Sequence, residues 1–118
     1  MATSLIAPAA AELYPSLWLE LWTSLASLLR SYTAAHGLNH KEQATVELGP
    51  NQIIVRAGSR WLRLDRNEDE ILWSRENLTR EDSSHGKMRF TIEGRLSMQD
   101  QEEEMDLQAE AWARELMQ

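Results

Sequence analysis

The 118-residue chain contains no cysteine. That absence excludes disulfides, thiolate metal sites and cysteine nucleophiles, and it fits a reducing compartment. Long apolar runs are missing too. The most apolar stretch, Leu13 to Leu29, is interrupted by Glu20, Thr23, Ser24 and Ser27, so it does not read as a membrane span. Residues 1–11 lack the positive segment and apolar run of a secretory signal, and the expected location is cytoplasmic. They read as a mobile tail before one domain over residues 12–118. Positive charge is scarce: 12 basic against 19 acidic residues leave a net charge of −7. Such a surface repels phosphate backbones and carries no basic stripe, so neither a nucleic acid nor a membrane is an expected partner.

What is present is a mixture of two periodicities. With 42% apolar and 26% charged residues, the composition is that of a globular domain able to bury a core of its own. Leu17, Leu21, Leu25, Leu28 and Tyr32 recur at helical spacing, and Trp18, Trp22 and Leu29 widen that stripe. Pro15 suits a first helical turn, and Gly37 stands where a left-handed C′ residue would end the helix. The first helix is therefore expected from Glu12 or Pro15 to His36.

Period-two segments follow. Ala44–Leu48, Gln52–Ala57, Arg60–Asp65 and Glu70–Ser74 read as short strands separated by Gly49-Pro50-Asn51, Gly58-Ser59 and the acidic Arg66–Asp69. Arg75–Gly86 reads as an exposed polar connection. In Lys87–Met98 the residues Met88, Phe90, Ile92, Leu96 and Met98 share one parity, which predicts one long strand with a single buried face. A second helix is expected from about Asp100. There Asp100 and Glu103 suit a capping box, Glu102–Glu104 favour the positive helix end, and Met105, Ala109, Trp112 and Leu116 form a stripe. The fold class is α+β: an antiparallel meander of four to five strands with both helices packed on one face.

No catalytic or ligand-binding motif accompanies these elements, and no cofactor is expected. The acidic cluster Glu102, Glu103, Glu104 and Asp106 could offer oxygen ligands to a hard cation, with Glu102, Glu103 and Asp106 the candidates. Successive helical residues diverge by about 100°, however, and capping explains the same charges. Asp65, Glu68, Asp69 and Glu70 lack the glycine and ligand spacing of a calcium loop. His36 and His40 are four residues apart, but Gly37 between them breaks the helix that a shared metal would need. Ser84 and His85 lack a third group and an oxyanion hole. Asn77-Leu78-Thr79 matches a glycosylation sequon, which has meaning only in a secreted protein.

Five tryptophans are a high count for this length. Trp18, Trp22, Trp73 and Trp112 suit a core between helices and sheet. Trp61 differs. If Leu62 and Leu64 face inward, Trp61 points outward, with Arg60 and Arg63 as its neighbours in sequence. An outward aromatic flanked by arginines is a common composition for a protein contact. These residues predict a partner-binding patch of Trp61, Arg60 and Arg63 on a non-enzymatic interaction or accessory protein. The wide stripe of the first helix allows a homodimer as well.

The order helix, short antiparallel strands, helix resembles the frataxin-like architecture. Asn67-Glu68-Asp69-Glu70-Ile71-Leu72-Trp73-Ser74 is loosely similar to the turn and tryptophan-bearing strand of frataxins. The resemblance implies two helices on one face of the sheet and, as the alternative function, an acidic iron-binding protein. The acidic ridge that the resemblance implies on the first helix is represented only by Glu12 and Glu20.

Overall fold

The computed structural model describes residues 13–38, 43–77, 82–98 and 101–118. Helix α1 runs Pro15–His36 and helix α2 Met105–Leu116. Between them lie β1 (Thr45–Leu48), β2 (Gln52–Ala57), β3 (Arg60–Asn67), β4 (Glu70–Asn77), β5 (Asp82–Phe90), β6 (Arg95–Met98) and β7 (Gln101–Glu104). The seven strands form one sheet in sequence order, every neighbour antiparallel. The expected tail over residues 1–11, the cap at Asp100, His40 and most of the sequon lie outside the described residues.

Register shows how the core is built. Ile53 pairs with Leu64 and Val55 with Leu62. Leu64 pairs with Trp73, Ile71 with Met88, and Phe90 with Leu96. These residues share one face of the sheet and, apart from the half-buried Trp73, are buried with Trp18, Trp22, Leu25, Leu29, Met105, Ala109, Trp112 and Leu116. Both helices thus cover this face. Burying one large apolar side chain contributes about 1.5–3 kcal/mol, so this alternation is the main source of stability.

Helix α1 begins with Pro15 in its first turn, as expected. Its buried line is Trp18, Trp22, Leu25, Ala26, Leu29 and Thr33, with Leu17, Leu21, Leu28 and Tyr32 on the half-buried flank. The Thr33 hydroxyl donates to the Leu29 carbonyl at 2.6 Å, which satisfies a polar group inside the core. The Trp22 indole N–H donates to the Gly49 carbonyl at 2.8 Å and fixes the β1–β2 turn to the helix. Trp18 stacks on Trp22 and meets Phe90 edge-on, while the Arg66 guanidinium lies 3.8 Å over its ring.

Gly37 has φ −92°, not the left-handed conformation expected at C′. Its glycine is needed for another reason: a Cβ there would come within 2.9 Å of the Thr33 carbonyl and 3.0 Å of Met117 Cε. The two helices meet at this point. Nearby, His36 Nε2 lies 2.8 Å from Glu110 Oε2, so this histidine joins α1 to α2.

Three further expectations are corrected. The long strand over Lys87–Met98 is two strands. The chain turns at Thr91–Gly94, with Gly94 N–H donating to the Thr91 carbonyl at 2.9 Å and Gly94 at φ +83°. Ile92 sits in that turn and is 56% exposed rather than buried. Arg75–Gly86 is a hairpin rather than a connection, since β4 and β5 pair as far as Asn77 with Asp82. Gln101–Glu104 is edge strand β7, and α2 starts only at Met105. These changes raise the strand count from four or five to seven.

Candidate interaction surface

The opposite face of the sheet has no helix over it among the described residues. Residues of the other parity line it: Glu47, Ile54, Arg63, Ser74 and His85 fall in one row across β1–β5. Gln52, Asp65, Leu72 and Lys87 form a second row. Thr45, Arg56 and Trp61 belong to a third. Ile54, Trp61 and Leu72 are half-buried apolar side chains in this otherwise polar layer.

Several of the charges on this face are paired. Arg63 Nε donates to Asp65 Oδ2 at 2.8 Å, and Gln52 Nε2 donates to the other oxygen of the same carboxylate at 2.8 Å. Arg89 lies 3.6 Å from Asp69 and 3.7 Å from Glu70. Arg95 lies 3.3 Å from Glu104 and 3.8 Å from Glu102. A trough of about 690 Å³ opens beside Leu72, bordered by Ser74, His85, Lys87, Arg89 and Ser97. Exposed ion pairs of this kind contribute about 0.2–1 kcal/mol each, so they add little to stability.

The expected patch of Trp61, Arg60 and Arg63 is divided. Trp61 and Arg63 share the helix-free face. Arg60 has the parity of Leu62 and Leu64, and its Nη1 donates to the Leu116 carbonyl at 2.9 Å and to the main-chain oxygen of Gln118. It caps the end of α2. Arg75, also of core-face parity, pairs with Glu115 on the same helix. The neighbour that sequence reading omitted is Arg56, directly opposite Trp61. The two-residue turn at Gly58-Ser59 was the available signal, because closing Ala57 onto Arg60 sets Arg56 against Trp61.

The metal candidates do not converge. Glu102 and Glu104 flank Arg95 on the helix-free side, Glu103 has the opposite parity, and Asp106 belongs to the first turn of α2. Among the described residues no three histidine or carboxylate side chains are grouped to hold a metal ion. His85 is an exposed residue of β5, while the side chain of Ser84 lies outside the described part. Among the described residues no helix is long and apolar enough to cross a membrane.

Comparison with protein-family models, with curated proteins and with solved structures gives no match.

Proposed function

We propose that the chain is a non-enzymatic interaction or accessory domain that binds a protein partner through the helix-free face of its sheet. One observation carries this reading: Ile54, Trp61 and Leu72 keep apolar surface on a face that no helix covers among the described residues. Tryptophan buries much area with little entropy loss, which makes Trp61 the natural anchor, with Arg63 at its border. The partner accordingly offers apolar side chains to Trp61 and Leu72 and hydrogen-bond acceptors to Arg63.

Affinity capture from the source cells with wild-type chain and with Trp61→Ser and Leu72→Ser variants tests this reading. The expected result is a specific partner recovered by the wild type and lost with either variant, at unchanged circular dichroism. Recovery of the same partners by both variants sinks it.

The frataxin-type reading is supported by the element order, a helix, consecutive antiparallel strands and a second helix. The scattered faces of Glu102, Glu103 and Asp106 weigh against it. Calorimetric titration with ferrous iron separates the two readings: saturable heat at micromolar protein supports iron binding, and its absence retires it.

A further inference from the structure

The two edges of the sheet differ. At one end β7 carries Glu102, Glu103 and Glu104, the charged composition that blunts an edge against pairing. At the other end is β1, Thr45-Val46-Glu47-Leu48, without proline, lysine or bulge. Its free backbone groups follow from the hairpin. Gly49 N–H donates to the Gln52 carbonyl at 2.8 Å, so Glu47 and Thr45, in step with Gly49, bond to β2. Val46 and Leu48 then direct their N–H and C=O groups away from the sheet. Arg30 Nη2 donates to the Val46 carbonyl at a long 3.4 Å, which agrees with a carbonyl not used in the β1–β2 ladder. Among the described residues the other outward groups of Val46 and Leu48 have no partner.

Next to this edge runs a cleft of about 460 Å³ between α1 and β1, lined by Arg30, Ala34, Leu38, Ala44 and Val46. Leu38 is 82% exposed there, and Leu48 at the strand end is 39% exposed.

We infer that β1 pairs antiparallel with β1 of a second copy, making one sheet continuous through a two-fold axis at Val46. The edge is complementary to itself in this register. Val46 faces Val46 of the partner and exchanges both backbone bonds with it, while Ala44 faces Leu48 on either side. These residues lie on the helix side, where their apolar side chains join across the axis beside the cleft. On the helix-free side Thr45 faces Glu47. Beyond Thr45 in the same row stands Arg56, which makes no ion pair among the described residues, so Glu47 of the partner reaches over a short threonine to an arginine. Moving the axis to Glu47 would set two glutamates directly opposite each other, and like charges in that position are unfavourable. Charge therefore selects both the occupant and the register.

The chain's lack of cysteine gives a direct test. Residues opposed in a hydrogen-bonded antiparallel pair have Cα atoms about 5.5 Å apart, within disulfide range. Val46→Cys is expected to form a disulfide-linked dimer on mild oxidation, while Ser59→Cys, in the β2–β3 turn, forms no covalent link within the dimer under the same conditions. Sedimentation of the unmodified chain is expected to show twice the 13.6 kDa chain mass. Glu47→Arg should weaken that dimer roughly tenfold through its two symmetric contacts, and adding Arg56→Glu should restore it. Trp61→Ser should leave it intact, which separates this interface from the partner face. A chain that remains monomeric at sub-millimolar concentration overturns the inference. So does a dimer indifferent to Glu47→Arg and not trapped at position 46.

Discussion

The two faces of the sheet come from the same strands, one residue out of step, yet they obey different rules. Under the helices Ile53, Leu62, Leu64, Ile71 and Leu96 are fully buried, packed in one cluster with Trp18, Trp22, Trp112, Met88 and Met105. On the other face, charged pairs alternate with three half-covered apolar residues. The difference shows where this chain's stability is concentrated and where its surface is available for contact. A substitution on the first face should be read by unfolding, and one on the second by binding.

Trp22→Ala should give the largest effect. The indole is fully buried, stacks on Trp18 and holds the Gly49 carbonyl. Truncation leaves a cavity and an unpaired carbonyl, with an expected loss of about 3–5 kcal/mol in chemical denaturation. Because that loss approaches the whole stability of a small domain, the variant should be largely unfolded at moderate temperature. A loss comparable to that of a surface substitution would mean that the helix-covered face is not the stabilising one.

Gly86→Ala comes next. Gly86 pairs with Trp73 across β4 and β5, and a Cβ at this position would lie 2.8 Å from the indole Nε1 and 2.9 Å from Cε2 and Cζ2. The indole occupies the space left by the missing side chain and continues to Trp112, 5.9 Å away. Overpacking of this kind costs about 1–3 kcal/mol. In a Trp73→Leu background the same change should cost much less, because the two residues are directly coupled. Additive losses in that double-mutant cycle would show that Gly86 is not reserved for Trp73.

How far the sequence revealed these two faces depended on whether burial left a periodic trace. Helix α1 was legible because Pro15 and Gly37 bracket a single apolar stripe, although the glycine serves close packing against Met117 rather than a left-handed turn. Strands β2 and β3 were legible through Ile53, Val55, Leu62 and Leu64. The β5–β6 turn was concealed by arithmetic. Phe90 pairs with Leu96, an even number of residues away, so the alternation of buried residues continues through the turn as if the strand had not ended. Strand β7 was concealed by its composition, because three successive glutamates suit a helix start and an edge strand equally well. The outer pairing of β4 with β5 carries no apolar alternation. On the candidate surface, Trp61 could be placed by parity. The same parity assigns Arg60 to the other side, and adjacency in sequence had concealed it.

Arg60→Ala tests that assignment. The guanidinium bonds main-chain oxygens at the end of α2, where cations also complement the helix dipole. Its removal should cost about 1 kcal/mol and speed amide hydrogen exchange in the last turn of α2. Binding of a partner at Trp61 should be unaffected. Loss of partner binding at normal α2 protection would return Arg60 to the interaction patch.

Trp61→Ser should change stability least. Its direct partner on the helix-free face is Arg56, and a half-exposed cross-strand position accounts for less than about 1 kcal/mol. On the proposed reading Trp61 serves contact rather than folding, because the same strand position would accept threonine without loss of β-propensity. The expected signature is dissociation of two quantities: a denaturation midpoint close to wild type, and partner affinity reduced at least tenfold, as for a central aromatic anchor. If the midpoint falls as far as it does for Gly86→Ala while binding persists, the side chain belongs to the structural half of the molecule. The two faces would then differ in polarity alone, and the binding site would have to be sought at the edges of the sheet.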